Sequence, residues 1–74
     1  MPLVLKQRHR DILKALYELG DGASTIQIAE RTGLNANGVS QSLTALHEYV
    51  LLAGVSGRNL KWQLTKYGRR AAKQ

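Results

Sequence analysis

The feature that most constrains this chain is the tripeptide Gly33-Leu34-Asn35, set between two stretches whose apolar residues recur at helical spacing. A tight corner between helices asks for a residue without a side-chain penalty, then an apolar plug, then a cap for the next helix. The order here meets all three needs. Upstream, Ser24 or Thr25 can cap a short helix in which Ile26 and Ala29, with Ile28 beside them, face inward and which ends before Gly33. Downstream, Asn35 caps a helix running to about Glu48, with Val39, Leu43 and Leu46 at i, i+4 and i+7.

A longer helix precedes this pair. From Lys6 to Leu19 the residues Ile12, Leu13, Leu16 and Leu19 form one stripe, extended by Leu5 and His9, and Gly20-Asp21-Gly22 stops it. After the third helix, Tyr49 to Val55 is apolar and β-prone, Ser56-Gly57-Arg58-Asn59 is turn-forming, and Leu60 to Leu64 alternates with period two. This predicts a β-hairpin. Thr65 can cap a last helical segment from Lys66 to about Lys73, which Gly68 interrupts and weakens. The fold class is α+β. The 74 residues are half of the roughly 150 expected of one domain, so residues 1–74 are read as a single domain.

Composition removes whole classes of function. With no Cys there is no disulfide framework, thiolate nucleophile, Cys-based zinc site or iron–sulfur cluster. The five acidic residues are scattered and no Gly-rich phosphate loop follows a strand, so no enzyme and no cofactor are expected. His9 and His47 lie far apart without a partner at metal spacing and read as surface or partly buried histidines. No apolar run approaches the roughly 18 residues of a membrane span, and Met1 to Leu5 is too short for a signal peptide. A soluble, cytoplasmic protein is the expectation.

Eleven Lys and Arg against five Asp and Glu give a net charge of +6, and the excess is not spread evenly. Residues 21–50 hold Arg31 against Asp21, Glu30 and Glu48, whereas residues 51–74 hold Arg58, Lys61, Lys66, Arg69, Arg70 and Lys73 with no acid. A one-signed patch of this kind points to a polyanion, with nucleic acid ahead of a membrane surface. The segment from Lys66 to Lys73 has only Ala71 and Ala72 with which to build the apolar face that a membrane-surface helix needs.

The stretch from Thr25 to Leu46 resembles a helix-turn-helix, and the residues after it extend the likeness. Three helices, a hairpin and the basic Leu64-Thr65-Lys66-Tyr67-Gly68 are similar to the winged helix-turn-helix of MarR-like transcription regulators over about residues 10 to 70. The pattern Ile28-Ala29, Gly33-Leu34, Val39 and Leu46 matches that family's second helix, turn and recognition helix. The chain departs from the family in having Tyr49-Val50 where a Gly usually precedes the wing. It is also too short for the long flanking helices through which full-length members dimerise. The resemblance implies a winged fold of three helices, a β-hairpin wing and a short basic C-terminal helix. It further implies sequence-specific binding of double-stranded DNA by a prokaryotic or viral transcription regulator. Helix 3, at about 35–48, would enter the major groove, and the wing, at about 51–64, would lie on the backbone or in the minor groove.

The residues themselves say which groups would do this. With Val39, Leu43 and Leu46 buried, the opposite face of helix 3 is Asn37, Gln41 and Thr44 with Ser40 on its flank. Asn and Gln can bond adenine N6 and N7 bidentately, and Ser and Thr hydroxyls suit several base edges. The same residue types make a plain solvated face, and both readings stay open. For the DNA backbone or minor groove the candidates are Arg58 at the hairpin tip, Lys61, Lys66, Arg69 and Arg70, with Thr25 at the start of helix 2. Lys73, Arg8 and Arg10 could add phosphate contacts or simply aid solubility. Trp62 points away from Lys61 and belongs to the core. A monomer would read roughly 3 to 5 base pairs, so a homodimer is expected, through the Met1–Leu5 arm with helix 1 or through the C-terminal segment. The alternative is a winged helix used for protein–protein contact within a replication or transcription assembly.

Overall fold

The first apolar stripe folds as helix α1, Gln7–Leu19, in which Ile12, Leu13, Ala15 and Leu16 are buried. The computed structural model describes residues 6–57 and 59–73, so the Met1–Leu5 arm and Arg58 lie outside the described residues. Leu19, expected in the stripe, is 38% exposed at the helix end, because the chain turns away at Gly20 before another layer can cover it.

Helix α2, Thr25–Thr32, begins with a reciprocal cap: Ser24 Oγ accepts from Gln27 N at 3.1 Å while Gln27 Oε1 accepts from Ser24 N at 2.9 Å. This corrects the expected facing of its side chains. Ile28 and Ala29 are buried, and Ile26, two residues and about 200° of helical turn before Ile28, is turned outward and 51% exposed. Gly33 closes α2 in the left-handed conformation, φ 74°, which is what the corner required of it. Leu34 plugs the corner against the core, and Asn35 Oδ1 accepts from Asn37 N at 2.8 Å to start helix α3, Ala36–Ala45.

Helix α3 is shorter than the expected 35–48. Leu46 is fully buried, and its carbonyl receives the N–H groups of both Tyr49 (2.8 Å) and Val50 (3.0 Å), which turns the chain and brings Val50 opposite Leu64. The hairpin consists of strands Val50–Ser56 and Asn59–Leu64, with a register shift between Leu52 and Gly54. A two-residue strand, Ala23–Ser24, adds to it. Calling these β1 (Ala23–Ser24), β2 (Val50–Ser56) and β3 (Asn59–Leu64), the sheet is antiparallel in the order β1-β3-β2, with Ala23 opposite Trp62 and Ser24 opposite Lys61.

Helix α4, Lys66–Lys73, packs on α1 and β3. Thr65 starts it: its Oγ1 accepts from Gly68 N at 3.1 Å and donates to Glu48 O at 2.8 Å. Gly68 is not an interruption, as the sequence suggested. It is buried where a Cβ would collide with the carbonyl oxygen of Tyr49 and press on Leu64, so its missing side chain lets α4 approach the start of the hairpin. The core joins Ile12, Leu13, Leu16, Ile28, Val39, Leu43 and Leu46 from the helices to Val50, Trp62 and Leu64 from the sheet.

Candidate nucleic-acid interface

Helix α3 packs on α2 and α1 through Val39, Ser42 and Leu43, which turns Asn37, Gln41 and Thr44 to solvent with Ser40 half-buried on the flank. The ten residues of α3 include no charged side chain. Thr44 is exposed, and its Oγ1 donates to Ser40 O at 3.0 Å, so its hydroxyl proton is used inside the helix. The Asn37 and Gln41 side chains take part in no hydrogen bond among the described residues. Four positions apart, they stand on one face, separated by about 6 Å along the axis.

A second corner forms where the sheet meets α2. The pairing of Ser24 with Lys61 sets the exposed Lys61 beside the first turn of α2, on the face of β3 opposite Trp62 and Leu64. Trp62 is buried, and its Nε1 donates to Thr25 Oγ1 at 2.9 Å. That bond fixes the Thr25 hydroxyl as an acceptor and leaves its own proton free to donate. Ile26 is exposed at the same corner. Ile26 lies about 200° of helical turn from the fully buried Ile28, so the phase that buries Ile28 leaves Ile26 outside.

The remaining cations are arranged differently. Arg69 Nη2 lies 3.1 Å from Asp21 Oδ2, joining α4 to the turn after α1, and Arg31 Nη2 lies 3.4 Å from Glu18 Oε1. By its sequence neighbours Asp21 is a turn residue, and nothing local marks it as the partner of an arginine 48 residues away. Lys66 extends over the Tyr67 ring, 5.3 Å from its centroid, and Arg70 is exposed. Thus Thr25 and Lys61 share one corner, whereas Lys66, Arg69 and Arg70 belong to α4.

On α1, His9 is half-buried with Nδ1 unpartnered, and burial together with Lys6 and Arg8 lowers its pKa from 6.5. No group of three His, Cys, Asp or Glu able to hold a metal ion occurs among the described residues, and no helix of theirs is long and apolar enough to cross a membrane.

No family model and no curated protein matches the chain. Solved structures do. A zinc-responsive MarR family member, ZitR of Lactococcus lactis, superposes with a TM-score of 0.79 at 23% identity over 99% of this chain and 52% of its own. A MarR-family transcriptional regulator from Rhodococcus gives 0.80 at 24% identity over 93% and 51%. FabT of Streptococcus pneumoniae, solved in complex with DNA, gives 0.78 at 16% identity over 93% and 50%. The chain has the winged-helix fold of these MarR-family regulators and spans about half the length of each.

Proposed function

We propose that this chain is a double-stranded DNA-binding domain of a transcription regulator, with α3 in the major groove and the hairpin against the backbone or minor groove. The observation that carries this reading is the outward face of α3: uncharged, hydrogen-bonding, and held on a buried stripe by the Gly33 corner. Thr25 and Lys61, one donor hydroxyl and one ammonium at the neighbouring corner, are suited to adjacent phosphates. Arg58, Lys66, Arg69 and Arg70 extend the phosphate-binding set, Arg69 by exchanging its solvent-exposed bond to Asp21. The likeness to FabT, whose solved structure contains DNA, supports this reading. In the same proposal the domain spans residues 1–74, catalyses nothing, works in the cytoplasm and reads DNA as a homodimer, since one α3 covers too few base pairs to discriminate.

A second reading, a module docking on another protein of a replication or transcription assembly, is favoured by the exposed Leu51, Leu52 and Val55 of the hairpin. Titration of the full chain against random duplex at two salt concentrations separates the two. DNA binding predicts an affinity that falls steeply with salt, and Lys61→Ala should lower the log–log slope by about 0.9 for one lost phosphate contact. No binding even at low salt removes DNA from the mechanism and leaves the docking module.

A further inference from the structure

Guanine is read in the major groove chiefly by Arg or Lys bonding O6 and N7 together, adenine by the amide of Asn or Gln bonding N6 and N7, and thymine by apolar contact with its methyl. Helix α3 has no group of the first kind in any of its ten positions. It has two of the second kind, Asn37 and Gln41, exposed on one face with side-chain amides unengaged among the described residues. For the third kind it has the exposed Ala36 and Ala45 and the methyl of Thr44, whose hydroxyl proton is already spent on Ser40 O.

We infer that α3 is built to read A·T pairs: the half-site holds two adenines, one bonded by Asn37 and one by Gln41, with thymine methyls against Ala36, Thr44 or Ala45. This rests on the DNA-binding reading and adds the class of sequence recognised. The spacing adds a constraint. The two amides are about 6 Å apart along the helix, and stacked bases rise about 3.4 Å per step, so the adenines lie no more than two base steps apart.

The charge distribution makes the inference sharper. Because α3 is neutral, its contacts release no counterions, and the cations of the proposed phosphate-binding set all lie outside it. Discrimination between A·T and G·C half-sites should therefore stay constant while total affinity falls with salt.

The experiment is selection from a random duplex library by the full chain, followed by titration on the selected duplex. One variant duplex carries 7-deazaadenine, which lacks N7, at the enriched positions, and another carries G·C there. The expected result is two A·T pairs within two steps of each other and a loss of about 5-fold to 150-fold on either altered duplex, the same at low and high salt. Gln41→Ala should abolish the preference at one of the two positions, and Gln41→Arg should convert that position to guanine. Gln41 is exposed, so the thermal midpoint of either variant should match wild type. Enrichment of G·C, or an A·T preference that neither Gln41 variant changes, overturns the inference while leaving DNA binding intact. Failure to retain any duplex sinks the DNA-binding reading itself.

Discussion

The segment from Ser24 to Leu46 and the segment from Tyr49 to Lys73 are held by different kinds of bond. In the first, the deciding contacts reach no further than a helical turn: Ser24 with Gln27, Gly33 N with Ala29 O, Thr32 Oγ1 with Ile28 O, Asn35 with Asn37. In the second they cross the chain, with Thr65 reaching Glu48 O, Trp62 reaching Thr25 and Arg69 reaching Asp21 over 17, 37 and 48 residues. The charges divide the same way. Helix α3 is neutral, whereas the second segment holds six cations and no acid. A locally determined unit thus presents hydrogen-bonding groups in fixed phase, and a unit folded by long-range contacts carries the charge.

The two glycines that matter most test this division. Gly68→Ala places a Cβ into the Tyr49 carbonyl, a backbone atom that cannot step aside without moving the hairpin, and should destabilise the fold by about 3 kcal/mol. Gly33→Ala meets nothing within 4 Å and must bear only the left-handed backbone, which costs about 1 kcal/mol. Urea unfolding of both variants measures the difference. A larger loss at Gly33 than at Gly68 would break the comparison.

The same division governs what the sequence could disclose. Caps and corners announce themselves because their physics is confined to a few neighbours: Asn35 and Gly33 stand in the predicted places, and Ser24 is one of the two predicted cap positions. The periodic stripe Val39, Leu43, Leu46 fixed the phase of α3 and with it the exposure of Asn37, Gln41 and Thr44. The end of α3 was not legible, since it depends on where Val50 must meet Leu64. Strand β1 is two residues long, too short for any alternation to register, and exists because β3 offers it an edge. Gly68 could be seen as a weak helix residue but not as a close approach, because its partner Tyr49 lies on another element.

A smaller effect sharpens the comparison at the bond that joins the two segments. Trp62→Phe removes the donor to Thr25 Oγ1 while keeping most of the buried ring, and should cost about 1 kcal/mol. Thr25→Val removes the acceptor. If the bond couples wing to α2 as the geometry indicates, the double variant loses less stability than the two single losses added together. Strict additivity would mean that the hairpin and α2 are held by apolar packing alone.

The smallest expected effect lies on α1, beneath both segments. His9 is half-buried with an unpartnered Nδ1, and desolvation, then Lys6, then Arg8, hold its pKa below 6.5 in the folded chain. The unfolded chain therefore takes up this proton first as pH falls through about 6.5, and folding stability drops with it. Above that range His9 is neutral in both states and contributes no pH dependence. His9→Gln keeps a polar side chain of similar reach that does not titrate. Thermal midpoints of wild type and variant, measured from about pH 8 to about pH 5.5, should run parallel at the alkaline end. They should separate at the acid end, with wild type falling further. The carboxylates titrate in both proteins and cancel in the difference, so curves that stay parallel throughout would show that the folded chain protonates His9 as readily as the unfolded one.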